Sequence, residues 1–182
     1  MKETPISRKL DLGCGNSKRA GAIGVDGNVR TSADVVHDLN SFPYPFPNSS
    51  FNEIYMDNVL EHLDDVLRVM EEVHRISEPN GLVKVIVPYF RSPYAFLDPT
   101  HRHFFTVNSF AYFDPANPVC KRYDYTLARF AVEKIVFNEN IPGRITKRIM
   151  RHIANKWPLR YELYISQLYP LDDITYYLRA LK

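Results

Sequence analysis

Leu10-Asp11-Leu12-Gly13-Cys14-Gly15-Asn16 is the stretch on which the reading of the fold turns. Residues 9–12 have the pattern of a short buried strand, and they run directly into two glycines. A glycine at such a place lets the backbone turn tightly and approach a neighbour or ligand closely. Alone, Gly-x-Gly is equally a strand-ending turn. The dinucleotide pattern G-x-G-x-x-G is not met, because Lys18 holds its third glycine position. Outward from the glycines, residues 22–25 form a second apolar run ending at Asp26, and residues 33–37 a third ending at Asp38. Residues 41–50, rich in Pro, Asn and Ser, read as a loop. Residues 51–56 read as a fourth strand.

A helix is predicted over residues 63–77. Leu63, Val66, Leu67, Met70, Val73 and Ile76 recur at helical spacing, Asp64 and Asp65 sit in the first turn, and Pro79-Asn80-Gly81 ends it. Residues 82–87 are then a nearly continuous apolar run, as in a strand buried on both faces of a parallel sheet. This alternation predicts an α/β sheet with its ligands outside the carboxyl ends of the strands. In the second half, residues 107–112 read as a short helix and 127–137 and 173–181 as strands pairing at one edge. Residues 145–167 read as helical, with a break near Pro158.

The chain of 182 residues is 45% hydrophobic and 24% charged, which suits one domain over residues 1–182. The net charge of +2 argues against nucleic acid. Cys14 and Cys120 make no disulfide framework, as expected of a reducing compartment. The first residues contain no apolar leader core, and no apolar run nears the ~18–20 residues that span a bilayer. A cytoplasmic location is therefore expected. His101 and His103 lie close in sequence but without a zinc pattern of cysteines or carboxylates, so no metal is expected.

Leu10 to Gly15, Gly24-Val25-Asp26, Asp38-Leu39 and Asn58-Val59-Leu60-Glu61-His62-Leu63 together resemble, in order and spacing, the type 11 domain family of class I methyltransferases that use S-adenosylmethionine. Glu72 to Gly81 is similar to that family's helix and turn before strand five. The resemblance covers residues 9–90. It implies a Rossmann-like α/β fold, with a mostly parallel seven-stranded sheet, one antiparallel strand and helices on both faces. It also implies a cofactor-binding half over 9–90 and an acceptor-side half over 91–182. By position, Asp11, Gly13, Cys14 and Gly15 would carry the methionine part of the cofactor and Asp26 its ribose. Asp38 and Leu39 would flank the adenine, and Asn58 would lie near the sulfonium. The segment between Gly15 and Val25 is too short for the family's usual helix, which leaves the cofactor side open. A homo-oligomer, or a non-catalytic role as a partner subunit, stays open on that ground; an RNA acceptor is a separate alternative, opposed by the low net charge and the lack of a recognisable RNA-binding module.

On the acceptor side, Asp98-Pro99-Thr100-His101 resembles a segment of the same family subset. The acceptor expected is a small molecule or saccharide with an oxygen or nitrogen to methylate. A histidine suits the proton that acceptor must lose. His101 is the candidate base and Asp98 the candidate orienting residue, with His103 as a weaker alternative. Arg144, Lys147, Arg148, Arg151, His152 and Lys156 accompany Ile145, Ile149, Ile153 and Trp157. That pattern fits either a membrane or polyanion contact or a surface helix packing its Ile stripe on the sheet.

Overall fold

The computed structural model describes residues 8–139 and 143–182. Seven strands form one sheet: β1 (Lys9–Leu12), β2 (Ala22–Asp26), β3 (Val35–Val36), β4 (Phe51–Asp57), β5 (Ser77–Pro88), β6 (Arg129–Phe137) and β7 (Asp173–Leu181). Their order is β3-β2-β1-β4-β5-β7-β6. All neighbours from β3 to β5 pair parallel. Strand β7 runs antiparallel to both β5 and β6. The order reverses between β1 and β4, which opens a crevice at their carboxyl ends.

The helices are α1 (Val66–Ile76), α2 (Tyr94–Leu97), α3 (Pro118–Tyr123), α4 (Ile145–Lys156) and α5 (Pro158–Arg160). A 3-10 turn at Leu60–His62 follows β4. Helix α1 starts later than its periodicity implies, because the Asp65 side chain accepts the Arg68 N–H and caps the helix from outside. It also ends earlier, at Ile76. Pro79-Asn80-Gly81 does not stop it but lies in the first part of β5, where the register against β4 shifts between Phe51 and Glu53. A side chain at Gly81 would meet the Glu78 carbonyl at 2.9 Å and the Phe51 carbonyl at 3.2 Å, so only glycine passes this crossing. Residues 107–112 contract to a 3-10 turn at Ser109–Tyr112. Past Pro158 the helical stretch continues through α5 into a π-helical turn at Tyr161–Ile165.

The core lies on one face of the sheet. Leu10, Ile54, Val83 and Leu178 share a row across β1, β4, β5 and β7, and all four are fully buried. Helix α1 adds Val69, Met70, Val73 and Ile76, and α4 adds Ala154, to the same cluster. Each such side chain contributes ~1.5–3 kcal/mol by leaving water. The expected helices on both faces are corrected here. Among the described residues the two long helices share one face, because the β1–β2 and β2–β3 connections are turns too short for a helix. The other face carries long polar side chains that cover each other. Lys9 pairs with Glu53 at 3.0 Å, Arg179 with Glu133 at 2.9 Å, and Lys84 with Glu139. The Arg19 guanidinium stacks 4.4 Å above the Tyr55 ring.

Candidate active site

The loop after β1 is built on Gly13. Its N–H and that of Cys14 both donate to the Val25 carbonyl, at 2.8 and 3.1 Å, folding the loop back over β2. Gly13 has φ +70°, and a Cβ there would stand 1.8 Å from the Val59 side chain. The glycine is thus required by the approach of Val59 as well as by any ligand. Buried Asp11 accepts the Arg19 N–H at 2.8 Å and so anchors the far end of the loop. Burial raises the Asp11 carboxyl above its ordinary range, against the pull of the Arg19 hydrogen bond.

Beside this loop lies a cavity of about 480 Å³ lined by Asp11, Gly13, Cys14, Ser17, Arg19, Asp57 and Asn58. That volume falls within the ~300–1,000 Å³ of small-ligand sites. Four of the residues expected for the cofactor, Asp11, Gly13, Cys14 and Asn58, meet here. Ser17, Arg19 and Asp57 join them without having been legible in sequence. Arg19 reaches Asp57 at 3.3 Å, so a guanidinium and two carboxylates face one space.

The other expected cofactor residues stand at the same carboxyl edge, occupied with backbone. Asp26 accepts the Gly15 N–H at 2.9 Å and the Asn28 N–H at 2.8 Å, one on each oxygen. Asp38 accepts the Asn40 N–H at 2.9 Å. Leu39 corrects its expectation: its side chain is buried in the core, and its carbonyl accepts the Tyr44 hydroxyl at 2.9 Å.

A second cavity, of about 510 Å³, opens on the acceptor side between Asn58, Glu61, His62, Tyr94, Asp98, His101, Lys147, Asp172 and Asp173. Asn58, with φ +53°, lines both cavities and stands where they meet. The 98–103 segment is tied to the turn after β4. The N–H groups of Arg102 and His103 donate to the Glu61 carbonyl, at 2.8 and 3.2 Å, and the His103 ring donates to the Leu63 carbonyl at 2.8 Å. His103 is therefore a tie between loops.

His101 donates from Nδ1 to the Ala95 carbonyl at 2.9 Å. Its Nε2 stands 4.0 Å from Glu61 Oε1. The expected pairing of Asp98 with His101 is not formed. Asp98 is drawn into a local turn in which its Oδ1 accepts both the Thr100 N–H and the Thr100 hydroxyl, at 2.8 and 2.7 Å. Those two bonds, the hydroxyl first, hold the Asp98 carboxyl below its usual range. Thr100 Oγ1 in turn accepts from His62 Nδ1 at 2.9 Å. Burial, and then the neighbouring His101 ring, lower the His62 pKa. The two rings meet edge to face with centroids 4.6 Å apart.

Glu61 is the most unusual group in the site. It is 1% exposed, and neither carboxylate oxygen has a hydrogen-bond partner. Burial pushes its carboxyl up to about 7; its own backbone N–H, near but outside hydrogen-bond geometry, opposes this, and Asp57, Asp173 and Asp98 reinforce it. Asp173 is raised to about 6 by burial and then by Asp172 and Asp57. Tyr89 is fully buried against the rings of Phe90, Phe137 and Tyr161.

Residues 10–85 match the family model of a methyltransferase domain. A demethylmenaquinone methyltransferase of Lysinibacillus sphaericus (strain C3-41) is 26% identical over 106 residues, covering 46% of this chain and 45% of that protein. The match thus spans less than half of that relative's length. Among solved structures, a SAM-dependent methyltransferase from Archaeoglobus fulgidus superposes with a TM-score of 0.58 at 16% identity, over 96% of this chain and 86% of that one. One from Mesorhizobium loti gives 0.57 at 17% identity, over 97% and 93%. At these identities the likeness is one of fold.

Proposed function

We propose that the chain is a class I methyltransferase domain that methylates a small hydroxylated acceptor, using S-adenosylmethionine bound beside the Gly13 loop; the methyltransferase-domain match over residues 10–85 supports the first part of this reading. The observation that carries this reading is the pair of cavities sharing Asn58. A donor group in one and an acceptor in the other would be neighbours across a single residue, and such alignment supplies much of the rate of a displacement.

The donor set suits the cofactor. Arg19 offers a fork for a carboxylate, and Asp11 and Asp57 offer acceptors for an ammonium, as the amino-acid end of that molecule requires. Each Asp26 oxygen keeps a lone pair beyond its backbone bond for a ribose hydroxyl. When bound, the cofactor supplies an electrophilic methyl group. What the chain itself supplies is orientation and a proton acceptor. His101, held by the Ala95 carbonyl, presents Nε2 to the acceptor cavity, and the acceptor hydroxyl gives its proton to that nitrogen. The lining of hydrogen-bonding side chains favours a polar acceptor. Glu61, Asp98, Asp172 and Asp173 outnumber Lys147, which disfavours the phosphate backbone of RNA.

Replacing Asp26 with alanine is expected to weaken S-adenosylhomocysteine binding at least about tenfold, since hydrogen bonds to a charged carboxylate contribute ~1.5–3 kcal/mol each. Asp64→Ala, on an exposed residue paired with Arg102, should leave it unchanged. Calorimetric titration of both variants tests the assignment, and equal affinities would remove Asp26 from the site.

We also propose that α4 rests on an anionic phospholipid surface. The first two residues of the Ile stripe stand in solvent, whereas Ile153 is half-buried. Ile145 and Ile149 are 75% and 51% exposed, and Trp157, Leu163, Tyr164 and Leu168 continue the exposed apolar surface. Arg144, Arg148, His152 and Lys156 are exposed on the same helical segment. No described helix is long and apolar enough to cross a membrane, so the contact is peripheral. Co-sedimentation with phosphatidylcholine vesicles should be weak and should rise on adding phosphatidylglycerol. Each basic residue near such a surface contributes ~1 kcal/mol, so Arg148→Glu should lower binding by tenfold or more. Equal binding to neutral and anionic vesicles would sink this reading.

A further inference from the structure

We propose that Glu61, His62 and His101 hold a divalent first-row transition cation at the floor of the acceptor cavity. One ligand atom from each of the three lies within 4.8 Å of the others. Metal–ligand bonds of ~2.0–2.2 Å put tetrahedral ligand atoms roughly 3.3–3.6 Å apart, so atoms standing as far as 4.8 Å from one another must close by up to about 1.5 Å through side-chain adjustment. Glu61 supplies the independent sign of a missing partner: a carboxylate lining the cavity, 1% exposed, with no donor at either oxygen. A buried carboxyl ionises only beside a counter-charge or a metal, and the nearest protein candidate, the His101 ring, stands off at 4.0 Å.

The second layer of contacts makes both rings ligands rather than donors. The Ala95 carbonyl can only accept, so His101 carries its proton on Nδ1 and leaves Nε2 with a free lone pair. For His62 the same result arises through a relay. Asp98 accepts the hydrogen bond of the Thr100 hydroxyl, which leaves Thr100 Oγ1 to accept from His62 Nδ1 and frees the lone pair on Nε2. Metal-binding histidines are oriented in this way by carbonyl and carboxylate partners. Here Asp98 orients His62 rather than His101. Asp98 and Asp173 line the same cavity and bring negative potential that favours a cation. Two imidazoles and one carboxylate are a ligand set for zinc and its first-row neighbours, and the remaining positions face the cavity.

The role of the cation rests on the acceptor reading above; its binding does not. A cation would take the same His101 lone pair that otherwise receives the acceptor proton. The acceptor hydroxyl would then be polarised by a Lewis acid and lose its proton to solvent.

The test uses untagged full-length protein, stripped with a chelator, dialysed and titrated calorimetrically with zinc chloride. One equivalent should bind per chain. Glu61→Gln, which keeps the side-chain volume, and His62→Ala, on the more exposed ring, should each weaken zinc more than 100-fold. Thr100→Val should weaken it about 10–100-fold, as loss of an outer partner does. Zinc should also raise the melting temperature of the wild type and leave that of Glu61→Gln unmoved. Absence of binding, or equal zinc affinity in wild type and Glu61→Gln, overturns the proposal. S-adenosylhomocysteine titrated into the same stripped protein tests the cofactor cavity separately, so either reading can fail alone.

Discussion

His101→Ala is expected to slow methyl transfer about 10²–10⁴-fold while leaving S-adenosylhomocysteine affinity nearly unchanged. The separation follows from position. His101 lines the acceptor cavity and not the one beside Gly13. Its Nδ1 is committed to Ala95, so the chemistry belongs to Nε2, and alanine removes that nitrogen whether it meets a proton or a cation. His103→Ala should behave differently. Its ring ties the 98–103 segment to the Leu63 carbonyl, so its loss should lower the melting temperature more than it lowers kcat. Screening hydroxylated sugars and small phenols supplies the acceptor for these assays. Full turnover in His101→Ala would show that the acceptor proton leaves by another route and that positioning alone drives transfer.

Gly13→Ala is expected to destabilise the fold by about 2–5 kcal/mol, from ~1–2 kcal/mol for a left-handed backbone and ~1–3 kcal/mol for overpacking. Cofactor affinity should fall with it, because the Asp11–Gly13 loop is one wall of that cavity. The added methyl would overlap Val59 at 1.8 Å, next to Asn58, where the two cavities meet. Gly15→Ala makes the contrast. Its φ is also positive, at +51°, but no atom lies within 4 Å of an added Cβ, so only the ~1–2 kcal/mol backbone cost applies. Val59→Ala in the Gly13→Ala background should recover part of the loss. Thermal unfolding reads all three, and equal destabilisation by the two glycine variants would refute the steric account.

The elements most legible in the sequence are those whose environment is uniform along their length. Strands β1 and β7 fall on the residues their patterns mark, and the second half of β5 shows its burial as an apolar run broken only by Lys84. The ends of α1 were less legible, because a cap is a geometric relation: Asp65 reads as part of the first turn until its side chain is seen closing the helix from outside. The second helical layer was expected from family resemblance, although the short segment after Gly15 already argued against a helix there.

The candidate site divides along the same line. The sequence by itself determined the glycine loop, the acidic residues at the strand ends and the placement of Asn58, since all of these follow one strand end within a few residues. Tertiary structure alone decided that Asp98 serves His62 through Thr100, that Arg19 turns into the cavity beside the Gly13 loop, and that Ile145 and Ile149 of α4 face outward. It also made the Glu61–His62–His101 cluster. A long connection separates the adjacent Glu61 and His62 from His101 in the chain, and the Glu61 carbonyl, accepting from the Arg102 and His103 N–H groups, helps tie them together. A local pattern records which face a residue prefers. It does not record which distant residue shares that face, because the sheet order and the loop ties that bring them together are properties of the whole packed chain.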